Sequence, residues 1–419
     1  MASRPHDTRG RGAAGQEDVR RHNLAALLRL LHEQGAASRS DLVARTGLNR
    51  STVGTLTGQL AEAGLVRESA PVGRGGAGRP SIQVAPDPPT YVLAVEIGVM
   101  RLTAARVGLG GVVLQRCALD QDGGSVPPAT TVARVRDLLA ELLAGACAGD
   151  VCVGIGVAVA GLVRATDGTV RLAPNLGWSE VPLAALLRES LALPLPVRVG
   201  NEADLGARAE HVRGVGTGVD DMLYLSGEAG LGGGIIIGGR ALTGAGGYAG
   251  ELGHMLVNPR GRSCRCGRSG CWETEIGEDA VLRATGAASV EDVLAAARAG
   301  SRPTRAGLEE VGRWLGAGLA DLVNLLNPEL VVFGGLTRAL FPLVEPVVRD
   351  VLASALAAPL AQVRLELPGL GGDSNLLGAA EVAFEPLLHD PLGVLAAAAQ
   401  HAPRTAAALL LEDSGARGG

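Results

Sequence analysis

A chain of 419 residues is too long for one ordinary hydrophobic core, so two or three domains are expected. Hydrophobic residues make up 47% of it and aromatics only 2%; no apolar run approaches a membrane span, and the first twenty residues lack a signal-peptide core, which argues for the cytoplasm. The net charge of −5 is unevenly divided, +5 over residues 1–84 and −10 over the remainder, with no lysine anywhere. A basic end on an acidic body points to an N-terminal module for a polyanion.

Residues 1–19 are polar, rich in Arg and Gly, and read as a disordered arm. Leu24, Leu27, Leu28 and Leu31 then follow helical spacing, and Gly35 ends that helix. Ser38 and Asp41 have the form of a capping box for a second, short helix that Gly47 stops. Asn49 caps a third helix whose inner face is Val53, Leu56 and Leu60, and Gly64 closes it. Helix, short helix, tight turn, helix is a helix-turn-helix. With a wing built from residues 65–68 and 81–84, the module spans residues 20–84.

In that arrangement the third helix lies in the major groove. Asn49, Arg50, Ser51, Thr52 and Thr55 then face DNA, with Arg39 beside them. Arg50 can fork onto a guanine edge, and Ser51 and Thr52 can reach phosphate or a base. Arg74 and Arg79, between glycines in the wing loop, suit a minor groove, although the same stretch also reads as a flexible linker. Gly54 and Gly58 inside the third helix are a local contradiction, each costing about 1 kcal/mol relative to Ala.

Pro86, Pro88 and Pro89 mark residues 85–90 as a linker. Residues 91–107 and 222–237 then repeat one plan, strand, glycine turn, strand. Each opens a run of alternating strands and helices, so the body is expected to be a duplicated α/β fold with lobes at 91–205 and 206–390, the last helix returning to the first lobe. Residues 151–163 and 329–336 read as further buried strands ending at glycine turns. Ligands of such sheets lie beyond the carboxyl ends of the strands, between lobes. Residues 391–419 read as an Ala-rich tail, helical in part.

Half of the six cysteines fall within Cys264–Cys271. Disulfides are not expected in the cytoplasm, so this clustering points to metal or redox chemistry. Cys117, Cys147 and Cys152 read as ordinary small core residues.

The strings GIGVAVAGLV, APNLGW, GNEADLGARAE, GLGGGIIIGGRALTGAGGYAGELGH, CRCGRSGCWE, VVFGG and LLGAAEVA occur in this order. On them the body resembles the ROK family of repressors, open reading frames and sugar kinases. With its N-terminal module the chain is similar to the family's repressor branch, over residues 20–390. The resemblance implies a winged helix-turn-helix followed by a two-lobed α/β actin-like ATPase body, with sugar bound between the lobes. Family members hold sugar hydroxyls with residues matching Asn201, Glu202, Glu251, His254 and Glu273, with Asn175 and the Gly161 turn nearby. Carboxylates accept from hydroxyls, imidazole and amide complete the set, and a missing hydroxyl leaves a buried partner unpaired.

The same resemblance matches His254, Cys264, Cys266 and Cys271 to the family's zinc site. Zinc with four protein ligands has no open position and is structural. His254 bound through one nitrogen keeps a proton on the other for a sugar oxygen.

The kinase elements depart from the family's pattern. The first phosphate loop resembles Asp-x-Gly-Gly-Thr in kinases and reads Glu96-Ile97-Gly98-Val99-Met100 here, where Val99 and Met100 are expected to obstruct phosphate. Glu228 places a carboxylate in the second loop, and the general base, Asp in sugar kinases, is matched by the longer Glu202. The expectation is a sugar-responsive DNA-binding regulator, a repressor released by sugar. It would bind a pseudopalindromic operator as a homodimer or homotetramer, with structural zinc and no enzymatic activity. An ATP-dependent sugar kinase with an appended DNA-binding domain, and a repressor answering to a protein partner, are the competing readings.

Overall fold

The computed structural model describes residues 9–70, 81–121, 123, 125–227 and 230–398. The first helix, α1 (Arg9–Gln34), starts inside the stretch expected to be a disordered arm. Leu24, Leu27, Leu28 and Leu31 anchor its C-terminal half in the core. Once that half is nucleated, each further residue is added at little cost, and the Glu17–Arg20 and Asp18–Arg21 ion pairs line the extension.

β1 (Ala37–Ser38) and α2 (Arg39–Thr46) follow. Ser38 and Asp41 close the capping box in both directions, and Gly47 turns the chain at φ 70°. Asn49 Oδ1 accepts from the Thr52 N–H at 2.8 Å to start α3 (Arg50–Glu62), whose Val53, Leu56 and Leu60 are buried. The wing is β2 (Val66–Ser69) and β3 (Gln83–Pro86), slightly later than expected, with β1 added on the far side of β3. Because β3 runs through Pro86, the expected linker at 85–90 is reduced to the turn before the next strand. Arg74 and Arg79 lie outside the described residues.

The first lobe contains β4 (Thr90–Ile97), β5 (Arg101–Gly108), β6 (Val112–Asp120), α4 (Pro128–Ala144) and β7 (Val151–Val159). A small sheet of β8 (Leu162–Arg164), β9 (Thr169–Ala173) and β10 (Trp178–Val181) precedes α5 (Leu183–Leu191), β11 (Val197–Asn201) and α6 (Glu202–Arg213). The second lobe opens with β12 (Met222–Ser226), β13 (Gly232–Ile237) and β14 (Arg240–Ala241). It continues through α7 (Glu273–Ile276), α8 (Glu278–Thr285), α9 (Val290–Arg298), α10 (Arg302–Leu326), β15 (Leu330–Phe333), α11 (Gly335–Leu352), α12 (Ala357–Leu360), β16 (Arg364–Glu366) and α13 (Ser374–His389).

The two main sheets share one order, β6-β5-β4-β7-β11 and β14-β13-β12-β15-β16. In each, three strands form an antiparallel meander and two are added in parallel. The repeat read from two hairpins is thus a repeat of whole sheets.

Each lobe lends the other a helix. α6 follows β11 and packs on β12 and β13; α13 follows β16 and packs on β4 and β7. The two also pack on each other. α13 leaves no room for side chains at two points: a Cβ at Gly378 would overlap the Leu205 carbonyl oxygen of α6, and one at Gly156 of β7 would overlap the Ala379 carbonyl oxygen of α13.

α13 also joins the body to the N-terminal module. One apolar core runs from Leu24, Leu28 and Leu60 through Val92, Ala94 and Val107 to Phe384, Leu387 and Leu388. A buried polar network lies in this junction. Glu381, 3% exposed, accepts from Arg213 Nε at 2.5 Å and pairs with His32 Nε2 at 3.1 Å. Arg213 Nη1 donates to the carbonyls of His32 (2.8 Å) and Gly110 (2.9 Å), and the Gly110 N–H donates to His32 Nδ1 at 3.0 Å. Both ring nitrogens are engaged: Nδ1 meets the Gly110 N–H, and Nε2 lies against both Arg213 Nη2 and Glu381 Oε2. Residues 391–398 continue as helix, with Leu392, Val394 and Leu395 against the same core, so the start of the expected tail is packed structure. Cys117 and Cys152 are half-buried, but Cys147 is exposed, contrary to its reading as a core residue.

Burial works to raise the Glu381 carboxyl, and the neighbouring His32 and Arg213 outweigh it, holding it at about 2 against an ordinary 4.5. A carboxyl held below its unfolded value stabilises the fold fully above about pH 4.5 and loses that contribution as the pH falls toward 2. Glu381→Gln is expected to destabilise the protein by about 3 kcal/mol, since Arg213 loses its buried counter-charge. Urea unfolding should also show a flatter dependence of stability on pH between about 5 and 3 in the variant than in the parent.

Candidate functional site

Six side chains converge between the lobes. Asn175 comes from the turn joining β9 and β10, Asn201 ends β11 and Glu202 opens α6. Glu251 and His254 stand at a single 3-10 turn after β14, and Glu273 opens α7. All six line one cavity of about 240 Å³, walled on its apolar side by Val99, Leu162, Leu172 and Leu231. The residues expected from the sequence are therefore together.

Their tasks differ. Asn201 Oδ1 accepts from the Ala203 and Asp204 N–H groups at 2.8 and 3.2 Å, and its Nδ2 donates to the Gly161 carbonyl at 2.9 Å. That side chain caps α6 and holds the Gly161 turn, which leaves it little capacity for a ligand. The His254 imidazole stands between two environments. Its Nε2 is 3.8 Å from Glu251 Oε2, whereas its Nδ1 is 3.7 Å from both Cys264 Sγ and Glu273 Oε1. Burial raises the Glu251 carboxyl, His254 opposes this and Glu273 reinforces it.

Two features of this neighbourhood were not expected: an acid behind the cavity wall and an arginine in it. Asp204, in the first turn of α6, is pushed up to about 7 by burial and then by Glu251. A second acid two residues after Glu202 was the available signal. Arg265 lines the cavity and its Nη1 donates to Asn175 Oδ1. It stands between Cys264 and Cys266, a position that carries no signal of its own in the sequence.

Directly behind the cavity, His254, Cys264, Cys266 and Cys271 present donor atoms within 4.8 Å of one another. Cys266 Sγ is 3.6 Å from Cys271 Sγ, and the Cys266 N–H donates to Cys264 Sγ at 3.3 Å. Short bridges, Leu256 with Cys271 and Ser263 with Ser269, fold the loop so that the thiols meet. Burial pushes the Cys264 and Cys271 thiols up. At Cys266 burial acts the same way, but the Arg268 N–H and the two neighbouring thiols outweigh it and hold this thiol down. Three thiols and an imidazole so arranged can hold a metal ion.

A larger cleft of about 510 Å³ meets the first cavity at Glu202 and Gly227. Val99 lines the smaller cavity and Met100 is 56% exposed, so neither fills the cleft as expected. Glu96 does face it, accepting from Asn375 Nδ2 at 2.9 Å. Glu228 lies outside the described residues.

On the N-terminal module Arg50, Ser51 and Thr55 are exposed and Thr52 is half-buried. Asn49 is exposed, but its Oδ1 is engaged by Thr52 N–H and the Ser51 hydroxyl. Arg39 departs from expectation. It pairs with both oxygens of Glu68, at 2.6 and 2.7 Å, and Nη2 also donates to the Gly54 carbonyl at 3.3 Å. It ties α2, α3 and β2 together rather than facing DNA. This also accounts for Gly54, where a Cβ would lie 3.3 Å from Arg39 Nη1; at Gly58 a Cβ would meet nothing within 4 Å, and nothing in the structure explains that glycine.

The ROK family's sequence profile matches residues 92–385, and that of the IclR helix-turn-helix domain matches residues 23–70. The chain belongs to the ROK family, and its fold is a helix-turn-helix region followed by the family's actin-like α/β body. The xylose repressor of Bacillus subtilis (strain 168) is 27% identical over 382 residues, covering 90% of this chain and 98% of the relative. A solved ROK family transcriptional regulator, a homolog of the E. coli MLC protein, is 27% identical with a TM-score of 0.74, over 90% of this chain and 98% of that one. A ROK family glucokinase from Streptomyces griseus, solved with glucose and AMPPNP, is 30% identical with a TM-score of 0.61, over 70% of this chain and 99% of its own.

Arg39→Ala is expected to lower stability by about 1 kcal/mol, the value of a partly exposed, two-pronged ion pair. Because Arg39 faces inward, the salt dependence of DNA binding should keep its slope in this variant, measured by fluorescence anisotropy over a salt series.

Proposed function

We propose that the protein is a sugar-responsive transcriptional regulator of the cytoplasm, a repressor of carbohydrate-metabolism genes that sugar releases from its operator. The observation that carries this reading is a hydroxyl-binding set and a DNA-binding module joined by one helix. α6 starts in the sugar-type cavity with Glu202 and ends with Arg213, which holds the His32 carbonyl of α1. Its length is about 18 Å. α6 packs on the second lobe and on α13, so a shift between lobes moves both ends of this connection. Sugar acts only through its differential affinity for the two lobe arrangements. The repressor relatives, covering 90% of the chain, support the same reading.

Within the cavity Glu202, Glu251 and Glu273 accept from hydroxyls, and Asn175 offers an amide. His254 Nε2 carries a proton toward Glu251 and the ligand when Nδ1 is engaged by metal. Zinc suits the cluster. A tetrahedral ion with bonds of about 2.3 Å spaces its sulfurs by about 3.8 Å, and the donors here stand 3.6 Å (Cys266–Cys271) and 3.7 Å (Cys264–His254) apart. With four protein ligands it pins the loop and fixes the His254 ring, and it has no open position for catalysis. We expect about one zinc per chain by elemental analysis, and expect Cys271→Ala to lose the metal, to melt at lower temperature and to bind sugar weakly.

Phosphotransfer is disfavoured. The second Gly and the Thr of the kinase phosphate loop are Val99 and Met100 here, so the Thr hydroxyl is missing. Glu202 is one methylene longer than the kinase base, which changes its reach. The intact cleft beside Glu202 favours the kinase as second reading, and ATP-dependent phosphorylation of any hexose, lost in Glu202→Ala, would establish it. A homodimer or homotetramer would set two helix-turn-helix modules on a pseudopalindrome, with Arg50, Ser51, Thr52 and Thr55 at the bases and Arg74 and Arg79 in the wing.

Fluorescence anisotropy on the DNA upstream of the protein's own gene tests the whole reading. Selective, salt-sensitive binding that one sugar of a panel weakens is expected. Glu202→Gln should keep DNA affinity and lose the sugar effect, and Arg50→Ala should lose about 1–3 kcal/mol of discrimination. Selective binding that no sugar changes would transfer the signal to a protein partner.

A further inference from the structure

Residues 260–268, RGRSCRCGR, carry four arginines and no acid, within a body of net charge −10. The metal cluster accounts for the cysteines of this loop and leaves its arginines unexplained. Arg260, Arg262, Arg265 and Arg268 are all exposed, as is Arg283 on α8.

A recess of about 130 Å³ opens beside the sugar-type cavity; Asn175, Gly230, Arg265 and Glu273 line both, and Arg262 and Arg283 complete its basic wall. The large cleft adjoins the sugar-type cavity through Glu202 and Gly227 and shares no lining residue with this recess. The sugar-type cavity thus has two outlets, one past Glu202 and one past Arg265.

Arg262 and Arg283 also line an adjoining hollow with Glu275 and Glu310, yet neither guanidinium has an ion pair among the described residues. Arg283 donates to a neutral partner, the Thr274 carbonyl, at 2.9 Å, and Arg265 donates to the Asn175 amide oxygen. The Arg262 guanidinium has no hydrogen bond or ion pair among the described residues. Two carboxylates border the recess. Glu273 is turned to the thiols, 2.8 Å from Cys264 Sγ. Asp279, 73% exposed, reaches Arg265 only at 3.6 Å.

We propose that this recess is an anion subsite. The saccharide in the adjoining cavity carries a phosphate or carboxylate at the end remote from the hydroxyl that faces Glu202, and Arg262, Arg265 and Arg283 hold it. The proposal rests on the reading of the adjoining cavity as a sugar site. A guanidinium fork matches either oxyanion with two parallel hydrogen bonds. The bond from Arg265 to Asn175 crosses from the metal loop to the first lobe. An anion that takes the guanidinium frees the Asn175 amide for a hydroxyl, so Arg265 selects the ligand and links its charge to the position of the lobes.

Calorimetry on the full chain tests this with D-glucose and D-galactose, their uronates and their 1-phosphates. A charged sugar is expected to bind about ten- to a hundredfold more tightly than its neutral parent, with an advantage that shrinks as salt rises. Preference for the uronate alone marks a carboxylate site, and for the 1-phosphate alone a phosphate site. Arg262→Ala with Arg283→Ala, both at exposed positions, should erase the advantage and leave neutral-sugar affinity and the melting temperature unchanged. Neutral sugars that bind at least as well as both charged forms would overturn the subsite and leave the sugar sensor standing. So would affinities that the double variant does not alter. Failure of every sugar, neutral or charged, would remove the sugar site itself, and the subsite with it.

Discussion

Helix α13 can lie against α6 and β7 because two glycines remove the atoms that would hold it away. With a Cβ at Gly378 or Gly156 the backbones of these elements could not approach. The close contact brings Glu381 to the end of α6, where Arg213 meets it, and to α1, where His32 meets it. A carboxylate buried this deeply is tolerable only with both partners in place. The junction between DNA-binding module and body is therefore specific in register as well as apolar. A purely apolar junction would permit sliding, and sliding would dissipate any motion arriving along α6.

The second organising element is the cysteine loop. It carries no regular secondary structure long enough to hold itself, and its thiols meet through two isolated bridges and the Cys266 N–H to Cys264 Sγ bond. Its position fixes which nitrogen of His254 faces the cavity. Nδ1 looks toward sulfur and Nε2 toward Glu251, so one ring borders both the cluster and the cavity. The same loop carries Arg265 to Asn175 on the opposite lobe. The loop thus faces the thiol–imidazole cluster on one side and the cavity between the lobes on the other.

Motifs in order along the chain were enough to place the helix-turn-helix, the duplicated sheets and the six cavity residues, because each motif is local and its spacing reflects local geometry. Ser38, Asp41, Gly47 and Asn49 read correctly for this reason. Long-range partners misled the reading elsewhere. Arg39 stands at a helix start beside the recognition helix and looks DNA-facing until Glu68 is brought beside it from the wing. Asn201 lines the cavity as expected, and its amide also caps α6 and holds the Gly161 turn. Asp204 and Arg265 lie within family strings, but nothing in their local pattern gave either a role. The arm that seemed disordered is helical from Arg9 onward, because its stability comes from leucines further along the helix.

The sequence by itself determined the order of elements, the division into a helix-turn-helix module and two similar lobes, the family, and which residues line the cavity and form the thiol–imidazole cluster. Periodicity, caps and glycine turns act over a few residues, and such short-range preferences are written in the chain. Only the tertiary structure decided that α6 and α13 exchange lobes and that His32, Arg213 and Glu381 meet. It alone placed Arg39 inward and made Arg265 a wall of two cavities. Those outcomes depend on contacts between residues up to hundreds of positions apart, and their geometry follows from packing, which no local pattern encodes.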